Sequence, residues 1–346
     1  MRFWVGGNTA DMDGLAAGIG VLHAGAADDA LAGGSLAFTG VAAAASSPSW
    51  LAWHPQHEVI YAAQEGVGSV QAFRRTGVES FAPLGAAVVV GDLVCHLAVD
   101  ARGTALVASC FGDGNVVVVT IDADGALRTA HGGEAPKDPY SGFDMNPRAP
   151  HAHQARFVPG GVVTTDLGYD TVRIWGPMDA GQPRLRQEVA LPRGSGPRHT
   201  VWHPSGHLYV VTEYSNEVFV LRPGADGTWS LVAGAPIVGA QAGHDFPAEI
   251  ALSRDAEYVY VGVRGSNTIA TLRVSGDGGA LSTRALTESG VDWPRHHLVV
   301  RDTLLVAGQR SNEVTSLTLD ARTGVPGTVR RRIEVPTPTM LLADRA

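Results

Sequence analysis

The sequence predicts an all-β protein, a seven-bladed β-propeller, and three observations carry this prediction. A strand pattern recurs along the 346 residues at intervals of roughly 50 residues. Few segments have the 3.6-residue periodicity of helices. The two ends of the chain hold complementary parts of one further unit. Repeats of about 40–50 residues are typical of the four-stranded blades of a propeller.

Each repeat contains an apolar run, a turn with Pro, Asp or Gly, a second apolar run, a third strand and a more polar fourth strand. The aligned first residues of the repeats are Trp50, His96, Gln154, His199, Glu249 and His296. Subtracting their numbers gives separations of 46, 58, 45, 50 and 47 residues. The longest separation contains an insert, "EAPKDPYSGFDMNPRAPHAH". The pattern therefore predicts six complete blades.

The seventh blade is predicted to be split between the two ends of the chain. "PTPTMLLAD" (336–344) matches a first strand, whereas "FWVGGN", "GIGVLHA" and "SLAFTGVAA" near the beginning supply the second, third and fourth strands. Pairing of residues 338–344 beside residues 2–8 would close a ring and leave no exposed sheet edge. Because the linkers between blades are short, we expect residues 1–346 to form a single domain.

Composition excludes several classes of partner. The formal net charge is −8, which argues against nucleic acid or an anionic membrane. No stretch approaches the roughly 18 apolar residues of a membrane span, and the first residues lack the pattern of a secretion signal. We expect a soluble, cytoplasmic protein whose two cysteines, Cys95 and Cys110, are core residues in a reducing compartment. The sequence leaves the oligomeric state open.

The geometry of a blade brings distant polar residues to one face. The second strand runs back beside the first, so the start of the first strand and the end of the second lie together. First-strand starts supply Trp50, His96, His151, His153, Arg198, His199, Glu249, Arg295, His296 and Met340. Second-strand ends supply Asn8, Glu65, Asp166, Glu213, Arg264 and Gln309. These side chains are predicted to ring one mouth of the channel, either as a functional site or merely to bind water and blade ends.

Arg198, Glu213 and Arg264 form the subset that most favours function. Two guanidinium groups near one carboxylate can receive a planar anion through paired hydrogen bonds. The alternative is a metal site, because "HAH" (151–153) places two imidazoles on one face of a strand. There is no HExxH motif, no cysteine ligand set and no acidic calcium loop. We therefore expect neither a metal nor any other cofactor.

Several segments taken together resemble the lactonase-type seven-bladed propellers, which include bacterial 6-phosphogluconolactonases and the fungal carboxy-muconate cyclase. They are "APHAH" (149–153), "GSGPRH" (194–199), "HPSGHLYVVTE" (203–213), "PAEI" (247–250) and "VGVRGSN" (262–267). The resemblance covers essentially the whole chain and implies His153, Arg198, Glu213 and Arg264 as the active residues. Two departures are Cys110–Phe111, where the family usually has an Asn-Tyr pair, and the doubled His296–His297.

The expected function is hydrolysis of a small anionic sugar-acid lactone. Arg198 and Arg264 would hold the substrate's anionic group and the developing oxyanion. Glu213, kept ionised by both arginines, would orient them, and His153 would take the proton of the attacking water. The further substrate-binding candidates are Glu65, His96, His151, Asp166, His199, Glu249, His296 and Gln309. At the channel mouth, Arg198 should contribute little to stability.

Two alternatives stay open at this point. The same residue types suit a cyclase that closes an unsaturated acid into a lactone, because protonation and carboxylate binding need the same groups. The third hypothesis is a non-catalytic propeller that binds a partner protein. Such a face usually presents exposed aromatic side chains, and Trp50 and Trp293 are the two that qualify here.

Overall fold

The computed structural model describes residues 1–25, 31, 34–143, 147–178 and 183–345. Within these ranges the chain forms seven small sheets, and three 3₁₀ helices (Ala10–Met12, Glu65–Val67 and Gly276–Gly278) are its only helical segments. The predicted all-β class and the seven blades are therefore confirmed. No helix in the described part of the chain has the length and apolar character needed to span a membrane.

The strands follow the predicted repeats closely. The N-terminal strands are β1 (Arg2–Gly7), β2 (Ile19–Ala24) and β3 (Leu36–Ala43). Blade 1 contains β4 (Pro48–Trp53), β5 (Val59–Gln64), β6 (Ser69–Gly77), β7 (Ser80–Pro83) and β8 (Val88–Val89). Blade 2 contains β9 (Val94–Val99), β10 (Ala105–Cys110), β11 (Val116–Ile121) and β12 (Leu127–Gly132), and blade 3 contains β13 (Ala152–Val158), β14 (Gly161–Asp166), β15 (Thr171–Trp175) and β16 (Leu185–Ala190).

The remaining strands repeat the same order. Blade 4 contains β17 (Pro197–Trp202), β18 (Leu208–Thr212), β19 (Glu217–Pro223) and β20 (Trp229–Pro236). Blade 5 contains β21 (Phe246–Leu252), β22 (Tyr258–Arg264), β23 (Thr268–Ser275) and β24 (Ala280–Glu288). Blade 6 contains β25 (Pro294–Val300), β26 (Thr303–Gly308), β27 (Glu313–Leu319) and β28 (Pro326–Glu334), and the last strand is β29 (Pro338–Ala343).

The closing blade is shared between the two ends of the chain, as predicted. Its strand order is β29-β1-β2-β3. Side chains fasten the junction: Nε of Arg2 donates to Asp344 at 2.8 Å, and Nε1 of Trp4 donates to the same carboxylate at 3.1 Å. Trp4 is fully buried, so this junction belongs to the protein interior.

Deletion of the last ten residues should therefore destabilise the fold. The deletion removes β29 and leaves β1 as an unpaired sheet edge, which promotes aggregation. We expect a lower melting temperature and soluble aggregates, measured by calorimetry and size-exclusion chromatography. A truncated protein that melts at the temperature of the full chain would contradict closure through β29.

Blade 1 differs from the predicted four strands. Its outer strand is broken into β7 and β8, and both pieces pair with β6. The break falls at "PLG" (83–85), where proline lacks an N–H to donate and Gly85 adopts a φ of 69°. The strand resumes where Val88 and Val89 oppose Val70 and Ser69.

By contacts within the chain, the residues divide into two compact units. The first unit comprises residues 1–5, 21–40 and 198–346, and the second comprises residues 6–20 and 41–197. Each unit has apolar cores of its own, such as the cluster around Tyr209 and Val261 in the first and the cluster around Tyr61 and Leu106 in the second. Both cysteines are buried in the second unit, as expected. A single domain over residues 1–346 stays a prediction.

Candidate active site

The registers of the blade hairpins bring the predicted polar ends together. Phe246 at the start of β21 lies opposite Arg264 at the end of β22, and Pro294 lies opposite Gly308 in blade 6. In blade 3, Ala152 lies opposite Asp166. In these three blades the start of the first strand and the end of the second therefore meet, as the sequence predicts.

Glu213 joins the two arginines at the centre of the prediction. Nε of Arg198 donates to Oε2 of Glu213 at 3.0 Å, and Nη2 of Arg264 lies 2.6 Å from the same oxygen. Arg198 comes from β17 and Glu213 directly follows β18, both in blade 4, whereas Arg264 ends β22 in blade 5. Oε2 of Glu213 thus contacts two guanidinium groups that come from neighbouring blades of the first unit.

The two arginines lie deeper than the sequence predicts. The residue exposures are 2% for Arg198 and 6% for Arg264. Burial lowers the pKa of Arg198 to about 9, with the charge of Arg264 acting in the same direction and Glu213 opposing both. Burial also lowers the pKa of Arg264. The premise that Arg198 is exposed is therefore wrong, and its contribution to stability stays a prediction, because a buried cation depends on its ion-pair partner.

An aromatic group fixes the position of Arg264. Its Nε donates to the carbonyl oxygen of Phe246 at 2.8 Å, and its Cζ lies 5.1 Å from the ring centroid of Trp293. Arg310 stacks on the same indole at 3.4 Å. The backbone of Trp293 has a φ of 62° and is held by a 2.9 Å hydrogen bond to the side chain of Asn267. The sequence analysis named Trp293 as one of two aromatic side chains suited to an exposed partner-binding face, whereas in the structure it is half-buried beside Arg264 and Arg310.

His199, Glu249 and His296 form a second polar group in the first unit. Nδ1 of His199 donates to Oε2 of Glu249 at 2.9 Å, and Nε2 of His296 lies 3.6 Å from the same oxygen. Nδ1 of His296 accepts a hydrogen bond from the N–H of Leu341 at 3.3 Å. Burial lowers the pKa of His296 to about 4, so this ring is neutral at physiological pH. These contacts tie the first strands of blades 4, 5 and 6 and the closing blade to one another.

The histidines of the "HAH" segment lie beside Phe111 in the second unit. The ring of His151 stacks on Phe111 with centroids 4.4 Å apart, and its Nδ1 donates to the carbonyl oxygen of Phe111 at 2.7 Å. The ring of His153 meets Phe111 edge-on at 6.0 Å. His153 is buried, and its carbonyl oxygen lies 3.4 Å from the thiol sulfur of Cys95. Phe111, one of the residues at which this sequence departs from the pattern it resembles, thus lies against the rings of both histidines.

The other predicted residues of the second unit make contacts that stabilise its fold. Oδ1 of Asp166 accepts three backbone hydrogen bonds, from His151, Gly168 and Tyr169, and burial raises the pKa of its carboxyl group. The ring of His96 lies 4.2 Å from Trp50 and its Nδ1 accepts from the N–H of Ala155. That bond repeats the His296–Leu341 geometry. Glu65 is buried in the 3₁₀ helix that follows β5.

Within the described residues, no group of three or more His, Cys, Asp and Glu side chains is arranged to hold a metal ion. In the described part of the chain, the "HAH" histidines are therefore not part of such a group. The rings of His151 and His153 contact Phe111 instead.

Comparison with known proteins assigns the chain to a family. The sequence model described as "Lactonase, 7-bladed beta-propeller" matches residues 2–343. The chain belongs to this lactonase family. Among curated relatives, the 6-phosphogluconolactonase of Bacillus subtilis is 26% identical over 315 residues, which cover 86% of this chain and 87% of that protein. An uncharacterised protein of Lactococcus lactis is 28% identical over 289 residues, or 82% and 84% of the two chains.

Solved structures of similar fold cover nearly the whole chain. The periplasmic gluconolactonase PpgL of Pseudomonas aeruginosa superposes with a TM-score of 0.85 at 23% identity, covering 99% of each chain. A protein of Lactobacillus plantarum superposes with a TM-score of 0.84 at 23% identity, covering 99% of this chain and 98% of its own. At this level of identity the likeness concerns the fold.

Proposed function

We propose that this lactonase-family protein hydrolyses an anionic sugar-acid lactone of the 6-phosphogluconolactone type. The observation that carries the proposal is the pair of buried arginines on one oxygen of Glu213. Membership of the lactonase family and the 26% identity to a 6-phosphogluconolactonase support the same reaction class.

Arg198 and Arg264 would bind the anionic group of the substrate and the negative charge that develops on the carbonyl oxygen. Preorganised donors stabilise such charge strongly when they are shielded from water. Because Glu213 contacts both guanidinium groups, it would orient them. Arginine suits this role because its planar group forms two parallel hydrogen bonds to one anion.

The reaction adds one water molecule to the lactone. The water oxygen bonds to the carbonyl carbon, the bond from that carbon to the ring oxygen breaks, and the ring oxygen leaves as a hydroxyl group. A general base must accept the proton of the attacking water and return it to the leaving oxygen. His153 stays the sequence-based proposal for this role, because imidazoles as a class suit proton transfer near neutral pH. The chemistry needs neither an oxidant nor a reductant, and we propose that it takes place in the cytoplasm.

A panel of lactones tests the proposal. Acid release is followed at constant pH for lactones with and without an anionic group, against protein-free blanks for spontaneous opening. We expect acceleration that is greatest for the anionic sugar lactones. Release at the blank rate for every lactone would overturn the proposal, and consumption of an unsaturated diacid with lactone formation would assign the protein to the cyclase alternative.

Exhaustive chelation should leave the lactonase activity unchanged if Arg and His side chains do the chemistry. The measurement is acid release after dialysis against a strong chelator, compared with protein dialysed against buffer. Activity that is lost on chelation and restored by added zinc or calcium would instead indicate that His151 and His153 are metal ligands.

A further inference from the structure

Blade 6 contains a second copy of the arginine site of blade 4. "GPRH" (196–199) at the start of β17 corresponds to "WPRH" (293–296) at the start of β25. After the second strand, "VVTEYSNEV" (210–218) corresponds to "VAGQRSNEV" (306–314). Arg295 thus occupies the position of Arg198, and Gln309 occupies the position of Glu213.

The copied residues also make the corresponding contact. Nη1 of Arg295 donates to Oε1 of Gln309 at 3.3 Å, as Nε of Arg198 donates to Oε2 of Glu213 at 3.0 Å. Each arginine is the second residue of its first strand, and each acceptor is the first residue after the second strand. The pairing of the two positions is retained through a different guanidinium nitrogen, but the acceptor in blade 6 is a neutral amide. An amide oxygen can orient a guanidinium group without neutralising its charge.

The two copies belong to one electrostatic group in the first unit. Arg295 lies near enough to Arg198 and Arg264 for its charge to affect both of them. Arg198, Arg264 and Arg295 bring three positive charges, Glu213 and Glu249 bring two negative charges that act on Arg198, and Gln309 brings none. Like charges gathered at one place destabilise one another, and an anion of higher charge relieves that repulsion.

We propose that Arg295 is a third anion-binding residue of this site and that Gln309 determines its specificity for a doubly charged group such as a phosphate monoester. This inference rests on the proposed function; it adds Arg295 to the anion site and gives the candidate Gln309 a role in specificity. A carboxylate at position 309 would pair with Arg295 as Glu213 pairs with Arg198, and the site would then favour substrates of lower charge.

The substitution Gln309→Glu tests the inference, because it recreates the blade 4 pair in blade 6. The probes are 6-phosphogluconate and gluconate, two acids that share one carbon skeleton and differ by the phosphate group. Binding is measured by titration calorimetry with the full-length protein. We expect the variant to bind 6-phosphogluconate roughly tenfold more weakly, and gluconate with nearly unchanged affinity.

The matched control is Gln56→Glu, which adds the same charge at an exposed turn between β4 and β5. It should bind both acids as the wild type does. A second variant, Arg295→Gln, should also weaken 6-phosphogluconate selectively. If Gln309 and Arg295 only stabilise blade 6, Gln309→Glu will keep or raise the melting temperature and leave both affinities unchanged.

The outcomes separate this inference from the proposed function. Wild-type protein that prefers 6-phosphogluconate, together with variants that keep the same preference, overturns the role of Arg295 and leaves the proposed function intact. Wild-type protein that binds neither acid and opens no lactone overturns both. A selective loss in Gln309→Glu and Arg295→Gln, with an unchanged control, supports the inference.

Discussion

Arg198→Lys should lower kcat/KM for lactone hydrolysis by roughly 10²–10³, which corresponds to about 2–4 kcal/mol of transition-state stabilisation. Lysine keeps the positive charge but loses the planar group that donates to Glu213 through Nε. It presents a point charge where the proposed substrate anion needs paired donors. Steady-state acid release over a range of substrate concentrations measures the change.

The control for this variant is Arg322→Lys, because Arg322 lies exposed in the turn between β27 and β28. It should retain the parent rate and the parent melting temperature. Arg198→Lys should also melt earlier, since Arg198 is buried against Glu213. An Arg198→Lys protein that hydrolyses every tested lactone at the parent rate would refute the anion site.

Glu213→Gln should destabilise the protein by about 3 kcal/mol as well as reduce its activity. The substitution leaves two buried guanidinium groups without the carboxylate oxygen that both contact. Removing one partner from a buried ion pair is strongly destabilising, because the remaining charge has lost its compensation. Urea denaturation at neutral pH measures the change in the free energy of unfolding.

Added phosphate should restore part of the stability that Glu213→Gln loses. An anion that binds the arginines of the folded state shifts the unfolding equilibrium by mass action. The matched control is Glu334→Gln at an exposed position of β28, which should unfold as the wild type does. Equal stability of Glu213→Gln and the wild type would show that Glu213 does not compensate the buried arginines.

The sequence predicted the positions of those site residues that are determined by the pairing of the first two strands of a blade. Alternating apolar runs and Pro-, Asp- and Gly-containing turns fix the hairpins, and antiparallel pairing then places Arg264 opposite Phe246. The split closing blade was predictable for the same reason, because β29 supplies the one strand that the N-terminal segments lack.

The sequence pattern did not predict how deeply the site residues are buried or which local hydrogen bonds they make. Arg198 is buried, and its partner Glu213 also contacts Arg264 from the next blade, a contact that the repeat pattern does not encode. Asp166 follows the same positional rule as Glu213, yet its Oδ1 accepts three backbone N–H groups. Arg295 and Gln309 were predicted to lie at the same end of blade 6, but the hydrogen bond between them became evident only in three dimensions.

The most direct test compares 6-phosphogluconolactone with gluconolactone as substrates of the wild type and of Arg198→Lys. The central claim is that the arginines on Glu213 bind the anionic group of the substrate. It predicts a wild-type kcat/KM that is much higher for the phosphorylated lactone, and a ratio that falls toward one in Arg198→Lys. A ratio of the same size in both proteins would contradict the claim.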